Sequence, residues 1–151
     1  MFGKYYEELE VGMQFSHLPG RTLSEYDNIL FSALTHNPQP LHLDAEFARK
    51  SEFQRPLMNS LFTLGLLVGL SVADTTVGTT IANLGFESID FPKPLFAGDT
   101  LYVSTEVVAR RESKSRPDAG IVTFEHRGHN QHGELVARCR RNAFMRKRPT
   151  P

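Results

Sequence analysis

Ten residues, Thr35-His36-Asn37-Pro38-Gln39-Pro40-Leu41-His42-Leu43-Asp44, hold the side chains best suited to chemistry. His42 serves as base, acid or hydrogen-bond donor near neutral pH. Asn37 carries one amide donor group and one acceptor, enough to hold a water. Proline fixes φ, removes a backbone donor and biases the residue before it toward an extended shape. With Pro38 and Pro40 inside it, the stretch reads as a stiff, extended connector able to hold side chains in place. A plainer reading stands beside this one. In it Asn37 braces the turn before Pro38, Asp44 caps the next helix, and His42 is a satisfied structural histidine.

The elements that must position these residues alternate along the chain. Tyr5 to Val11 reads as a short extended arm, and Gln14 to Leu18 as a strand closed by the turn dipeptide Pro19-Gly20. Thr22 or Ser24 caps a helix whose Ser24-Glu25-Tyr26-Asp27 start is a capping-box variant. Its Ile29, Leu30, Ala33 and Leu34 share one apolar face, and it must end before Pro38. A short helix from Ala45 to about Lys50 follows Asp44, then a connector, Glu52 to Pro56. A long helix, about Asn59 to Ala73, is capped by Asn59 or Ser60 and is apolar on nearly every side, which predicts burial. Gly65 and Gly69, four apart, form one edge where a sheet or a ligand can approach closely.

From Thr79 onward the pattern turns to strands: Thr79–Ile89, Thr100–Arg110, Ile121–Arg127 and Leu135–Met145. Turns at Arg116-Pro117-Asp118-Ala119-Gly120 and Asn130-Gln131-His132-Gly133 join the last three. Arg146-Lys147-Arg148-Pro149 reads as a solvated basic tail. Helices followed by a strand meander indicate an α+β fold in which one buried helix packs against a curved antiparallel sheet. The open sheet edges call for a dimer.

Composition narrows the classes. At 151 residues the chain is one domain, 1–151, large enough to bury a core without staples. Lys plus Arg equals Asp plus Glu at 17 each, which argues against a general nucleic-acid binder. Cys139 is the single cysteine, so no intrachain disulfide forms and no zinc spacing exists. His126, His129 and His132 lie in or beside a hairpin without metal spacing. Met1 to Tyr6 lacks the apolar core of a signal peptide, and the Leu61–Val72 run is too short to span a bilayer. The expectation is a soluble, cytoplasmic protein with no metal, no membrane partner and no nucleic acid.

Pro40-Leu41-His42-Leu43-Asp44, a buried helix, and Pro94-Leu95-Phe96-Ala97-Gly98-Asp99-Thr100-Leu101 together resemble the MaoC-like hydratases, relatives of the (R)-specific enoyl-CoA hydratases. The likeness covers about Tyr6 to Met145. Tyr5-Tyr6-Glu7-Glu8-Leu9, Pro19-Gly20-Arg21-Thr22, Gln39-Pro40-Leu41-His42 and Arg111 to Asp118 resemble a subgroup assigned to mesaconyl-CoA or itaconyl-CoA hydration. The resemblance implies a hotdog fold, a dimer or higher homo-oligomer with sites near the subunit interface, and water addition to an acyl-CoA. It implies no cofactor beyond the coenzyme A of the substrate. The family's Asp, five residues before the His, falls on Asn37, and its His-Gly at the central helix start falls on Asn59-Ser60.

Hydration of an unsaturated thioester needs a base for water, a donor to the thioester oxygen and a proton for the α-carbon. His42 is the base and returns the proton. Asn37 orients the water or holds the His42 ring. The backbone N–H of Ser60, with Asn59 and Gly65 on the same helix, would receive the enolate oxygen. Arg110, Arg111, Lys114 and Arg116 are candidates for CoA phosphates or a substrate carboxylate, or form a solvated hairpin tip. Arg55 and Arg21 are further candidates for a second carboxylate. A hotdog acyl-CoA thioesterase and a non-catalytic acyl-CoA-binding hotdog protein are the competing functions.

Overall fold

A computed structural model describes residues 3–149; of the N-terminal stretch read above, Met1 and Phe2 lie outside the described residues. The strands β1 (Gln14–Thr22), β2 (Thr80–Asp90), β3 (Thr100–Glu112), β4 (Ala119–His129) and β5 (Leu135–Arg146) form one antiparallel sheet in the order β1-β3-β4-β5-β2. Helices α1 (Glu25–Leu34), α2 (Pro40–Leu43) and α3 (Ala45–Arg49) lead into the long α4 (Ser60–Thr75). The sheet curls around α4. Leu67, with no exposed surface, packs among Leu101, Val103, Val136 and Cys139.

Several expectations change. The strand expected to stop at Leu18 runs through Pro19-Gly20 to Thr22, with its register shifted between His17 and Arg21. Proline is tolerated there because β1 is an edge strand and the shift frees its missing donor. The Tyr5–Val11 arm contains a 3-10 turn, Tyr6–Glu8, and the Tyr6 ring lies where a Cβ on Gly120 of β4 would stand. The basic tail is exposed at Arg146, Arg148 and Pro149, as expected, and makes surface pairs as well: Lys147 with Glu112, and Arg148 with Glu8 at 2.9 Å.

Helix α4 is buried along one stripe, Thr63, Leu67, Ser71 and Thr75, and not all round. Leu61 is 57% exposed. A Cβ on Gly65 or Gly69 would meet nothing within 4 Å, so this glycine edge faces away from the chain's own sheet. At 3.6 residues per turn, positions 65 and 69 fall nearly opposite Leu67. Helix α1 is also turned over. Its capping box forms as expected, with Asp27 N–H donating to Ser24 Oγ at 3.2 Å. Yet Ile29, Leu30 and Leu34 are exposed, while Asn28 and Ser32 are buried.

A polar chain crosses the core beneath the C-terminal half of α4. Arg141 Nε donates to His126 Nε2 at 2.9 Å. Arginine only donates, so neutral His126 carries its proton on Nδ1 and donates to Thr105 Oγ1 at 2.7 Å. Thr105 passes the direction on to His17 Nε2 at 2.7 Å, and His17 Nδ1–H reaches Asp74 at 2.6 Å. Only Asp74 reaches solvent; the polar groups therefore link a buried cation to a distant anion. Burial, then the charges of Arg141 and His17, pushes His126 down to about 3. Cys139 lies buried in the same core, and burial pushes its thiol up to about 11, which removes it as a nucleophile.

In the unfolded chain His126 takes up a proton near its ordinary value of 6.5, and in the folded chain only near 3. The unfolded state binds more protons in between, so stability must fall as pH falls through that window, by up to about 1.4 kcal/mol per pH unit. Urea unfolding between pH 6.5 and 5 should show this slope, and His126→Gln should flatten it.

Candidate active site

The Thr35–Asp44 stretch is not extended throughout. His36 takes φ 54°, and Asn37 N–H donates to Ser32 O at 2.9 Å, closing α1. Pro40 then opens the one-turn helix α2, which carries His42. Proline fits the first helical position, because the N–H it lacks would have no partner there. Asp44 caps α3 as expected, accepting from Phe47 N–H at 3.0 Å. Asn37 Oδ1 accepts from Gln39 N–H at 3.1 Å, the turn-bracing role.

His42 is anchored by backbone. Its Nδ1 lies 2.7 Å from Leu57 O, and a carbonyl only accepts, so Nδ1 carries the proton and Nε2 keeps its lone pair. The same carbonyl accepts from Asn28 Nδ2 at 3.0 Å. Asn28 Nδ2 also donates to His42 O at 3.0 Å, and Asn28 Oδ1 accepts from Asn59 N–H at 2.9 Å. One side chain, 2% exposed, therefore ties α1, α2 and the start of α4 together. This explains the turned-over helix: an apolar residue at 28 would leave the His42 carbonyl and the Asn59 N–H without partners and take one of two donors from Leu57 O, which costs more than exposing Ile29 or Leu34.

Asn59 caps α4, its Oδ1 accepting from Leu61 N–H at 3.1 Å, so Ser60 begins the helix proper with an N–H that needs an outside partner. Two cavities meet here. One, about 330 Å³, is lined by Glu25, Asn28, His42, Arg55, Met58 and Phe96 among others. Its neighbour, about 300 Å³, is lined by Ser60, Thr63, Phe91, Lys93, Leu95 and Val136 among others. Met58 lines both.

The Pro94–Asp99 turn supplies the far wall. Asp99 accepts from Phe96 N–H at 2.9 Å and from Gln131 Nε2 at 2.8 Å. Leu57 and Phe96 are bridged, and Met58 N–H donates to Leu95 O at 2.9 Å. The Arg55 guanidinium lies over the Phe96 ring, 3.8 Å from its centroid.

Of the residues picked from sequence, the structure brings His42 and Arg55 into one cavity and sets Ser60 in the next. Gly65 lines neither of the two. Arg111 borders a third hollow on the sheet with Arg110, Ala109 and Asn142. Lys114 and Arg116 occupy the β3–β4 tip, where Arg116 pairs with Asp118 at 2.6 Å. The Pro94–Asp99 turn precedes β3 and this tip follows it, so most of a 13-residue strand, about 3.3 Å per residue, separates them from His42. Arg21 is held by Asp27 at 2.7 Å. Asn28 and Phe96 were not singled out from sequence. An asparagine inside a helix, four residues before Ser32, was the available signal, since asparagine disfavours helix interiors unless a partner calls for it.

A family model described as MaoC like domain matches residues 7–130. The chain is 32% identical over 148 residues to a mesaconyl-CoA hydratase from Cereibacter sphaeroides, covering 98% of this chain and 43% of that protein. A MaoC-like dehydratase from Rhodospirillum rubrum superposes with a TM-score of 0.84 at 32% identity, over 98% of this chain and 100% of that one. A Mycobacterium tuberculosis protein described as a double hotdog fold superposes with a TM-score of 0.87 at 26% identity, over 99% of this chain and 46% of its own. The chain belongs to the MaoC-like domain family, and its fold is a hotdog. It spans 41–43% of the length of the mesaconyl-CoA hydratases it matches. Among the described residues, no helix is long and apolar enough to cross a membrane.

Asn28→Ala strands the His42 carbonyl and the Asn59 N–H and takes one of two donors from Leu57 O. Urea unfolding should show a loss of about 2–3 kcal/mol, against less than about 0.5 for Leu34→Ala on the exposed face of the same helix.

Proposed function

We propose that this chain is a hydro-lyase of the enoyl-CoA hydratase type, adding water across the double bond of a short acyl-CoA or removing it in reverse. The observation that carries the reading is the His42–Leu57 hydrogen bond. It fixes the tautomer with Nε2 unprotonated, on a residue that lines a cavity large enough for a short acyl chain. The names of the relatives support the same chemistry.

Water bound at Nε2 gives up a proton as its oxygen attacks the β-carbon. The double-bond electrons move toward the thioester, and negative charge gathers on the carbonyl oxygen. The imidazolium then returns the proton to the α-carbon. Leu57 O steadies the imidazolium through Nδ1–H, and Asn28 holds Leu57 O in place. The N-terminus of α4 at Ser60, in the cavity on the other side of Met58, is our assignment for the enolate oxygen. We assign no proton transfer to Asn37, which has no acidic proton near neutral pH and whose amide oxygen is engaged by Gln39.

The finer reading is a C5-dicarboxyl substrate such as mesaconyl-CoA, supported by the mesaconyl-CoA hydratases among the relatives. We also read the working unit as a pair of hotdogs. β1 and β2 are open edges, and Leu84, Phe86 and Ile89 on β2 are exposed, as are Ile29, Leu30 and Leu61. The neighbour described as a double hotdog, of which this chain covers 46%, supports that reading. Glu25 on the His42 cavity is the one feature that would serve a thioesterase instead.

Mass-spectrometric assay of crotonyl-CoA and mesaconyl-CoA should show the gain of one water. His42→Ala should lower kcat by about 10²–10⁴. Release of free thiol without water gain would replace the hydratase reading with the thioesterase one. Light scattering should give a mass at least twice 17.0 kDa.

A further inference from the structure

We propose that Arg55 is the receptor for a second carboxylate on the acyl chain, so that this cavity selects dicarboxyl-CoA esters over monocarboxyl ones; this rests on the hydratase reading above. Arg55 lines the same cavity as the base His42. The central carbon of its guanidinium lies over the Phe96 ring, 3.8 Å from the centroid, and among the described residues its N–H groups donate to no protein acceptor. The ring beneath it is preset, since Asp99 receives Phe96 N–H at 2.9 Å and Phe96 is bridged to Leu57. Leu57 also orients His42, so the platform under Arg55 and the base share one anchor.

The charge is unspent. Among the described residues, Arg21, Arg49, Arg116, Arg127, Arg138, Arg140 and Arg148 each have a carboxylate within hydrogen-bond or ion-pair reach; Arg55, like Arg110, Arg111, Arg141 and Arg146, has none, and of these five it alone lines the His42 cavity. Arg21, the other arginine considered for this role, is already held by Asp27 at 2.7 Å. Ile29, Leu43, Pro56, Met58 and Ala97 make up much of the rest of the wall, and Arg55 is exposed, open to an incoming carboxylate. Glu25 stands on the same wall without pairing to Arg55, so an incoming carboxylate meets one attraction and one repulsion.

A planar fork on a rigid platform suits a carboxylate, which it grips with two parallel hydrogen bonds. CoA phosphates carry the same charge, but the pantetheine arm separates them from the thioester by far more than the width of this cavity. A guanidinium sharing a cavity with the base is therefore placed for the acyl end of the substrate.

The test compares kcat/KM for mesaconyl-CoA and crotonyl-CoA in wild type, Arg55→Ala, Arg55→Lys and Glu25→Gln. The mesaconyl-to-crotonyl ratio should fall about ten- to a hundredfold in Arg55→Ala, recover in part in Arg55→Lys, and rise in Glu25→Gln. An unchanged ratio in Arg55→Ala, with both esters turned over, overturns the proposal and leaves the hydratase reading standing. An equal loss for both esters would move Arg55 to the CoA moiety and also overturn it. If wild type hydrates neither ester, the hydratase reading fails. Equilibrium binding of the two esters then decides Arg55 by the same ratio, taken from Kd.

Discussion

The site depends on one backbone carbonyl. Leu57 O accepts from Asn28 Nδ2 and from His42 Nδ1, using both of its lone pairs. A carbonyl cannot donate, so it permits only one tautomer of neutral His42, the one with a basic Nε2. The Leu57 backbone is itself fixed: its N–H donates to Leu41 O at 3.1 Å, and Phe96 bridges it from the Pro94–Asp99 turn. A catalytic imidazole often relies on a carboxylate for this service. Here a neutral dipole, the Leu57 carbonyl, holds the ring and fixes its tautomer.

The same anchor explains the odd amphipathicity of α1. Backbone groups of three segments converge on the inner face of that helix, and they require donors and an acceptor rather than apolar cover. Asn28 supplies both kinds from one side chain, with Ser32 beside it. The apolar residues of α1 are displaced outward, where a second hotdog would give them the cover this chain does not. Polar satisfaction on the inner face thus leaves apolar surface on the outer face of α1.

A second polar arrangement, Arg141 through His126, Thr105 and His17 to Asp74, sits at the other end of α4. Its direction follows from arginine being donor-only. Two imidazoles and a hydroxyl link a buried cation to an anion at the surface, each passing a hydrogen bond to the next. The two ends of the helix therefore differ: one organises a cavity around His42, the other carries a buried cation and makes the fold sensitive to acid.

Local pattern alone determined much of this protein. The period-2 runs marked the strands after Thr79, and the Ser24–Asp27 capping box, the Asp44 cap and the Asn59 cap marked helix starts, because those signals are satisfied within a few residues. The Pro-Leu-His-Leu-Asp stretch pointed to His42, and the motifs to the hotdog fold. The tertiary structure alone decided which face of α1 turns inward, since the groups Asn28 satisfies come from residues 14 to 31 positions away. It also separated the hairpin cations from His42, because β3 carries the chain to the far end of the sheet. It left the Gly65 edge uncovered, and it set Arg55 on Phe96, a contact between residues 41 apart in sequence that no local pattern encodes.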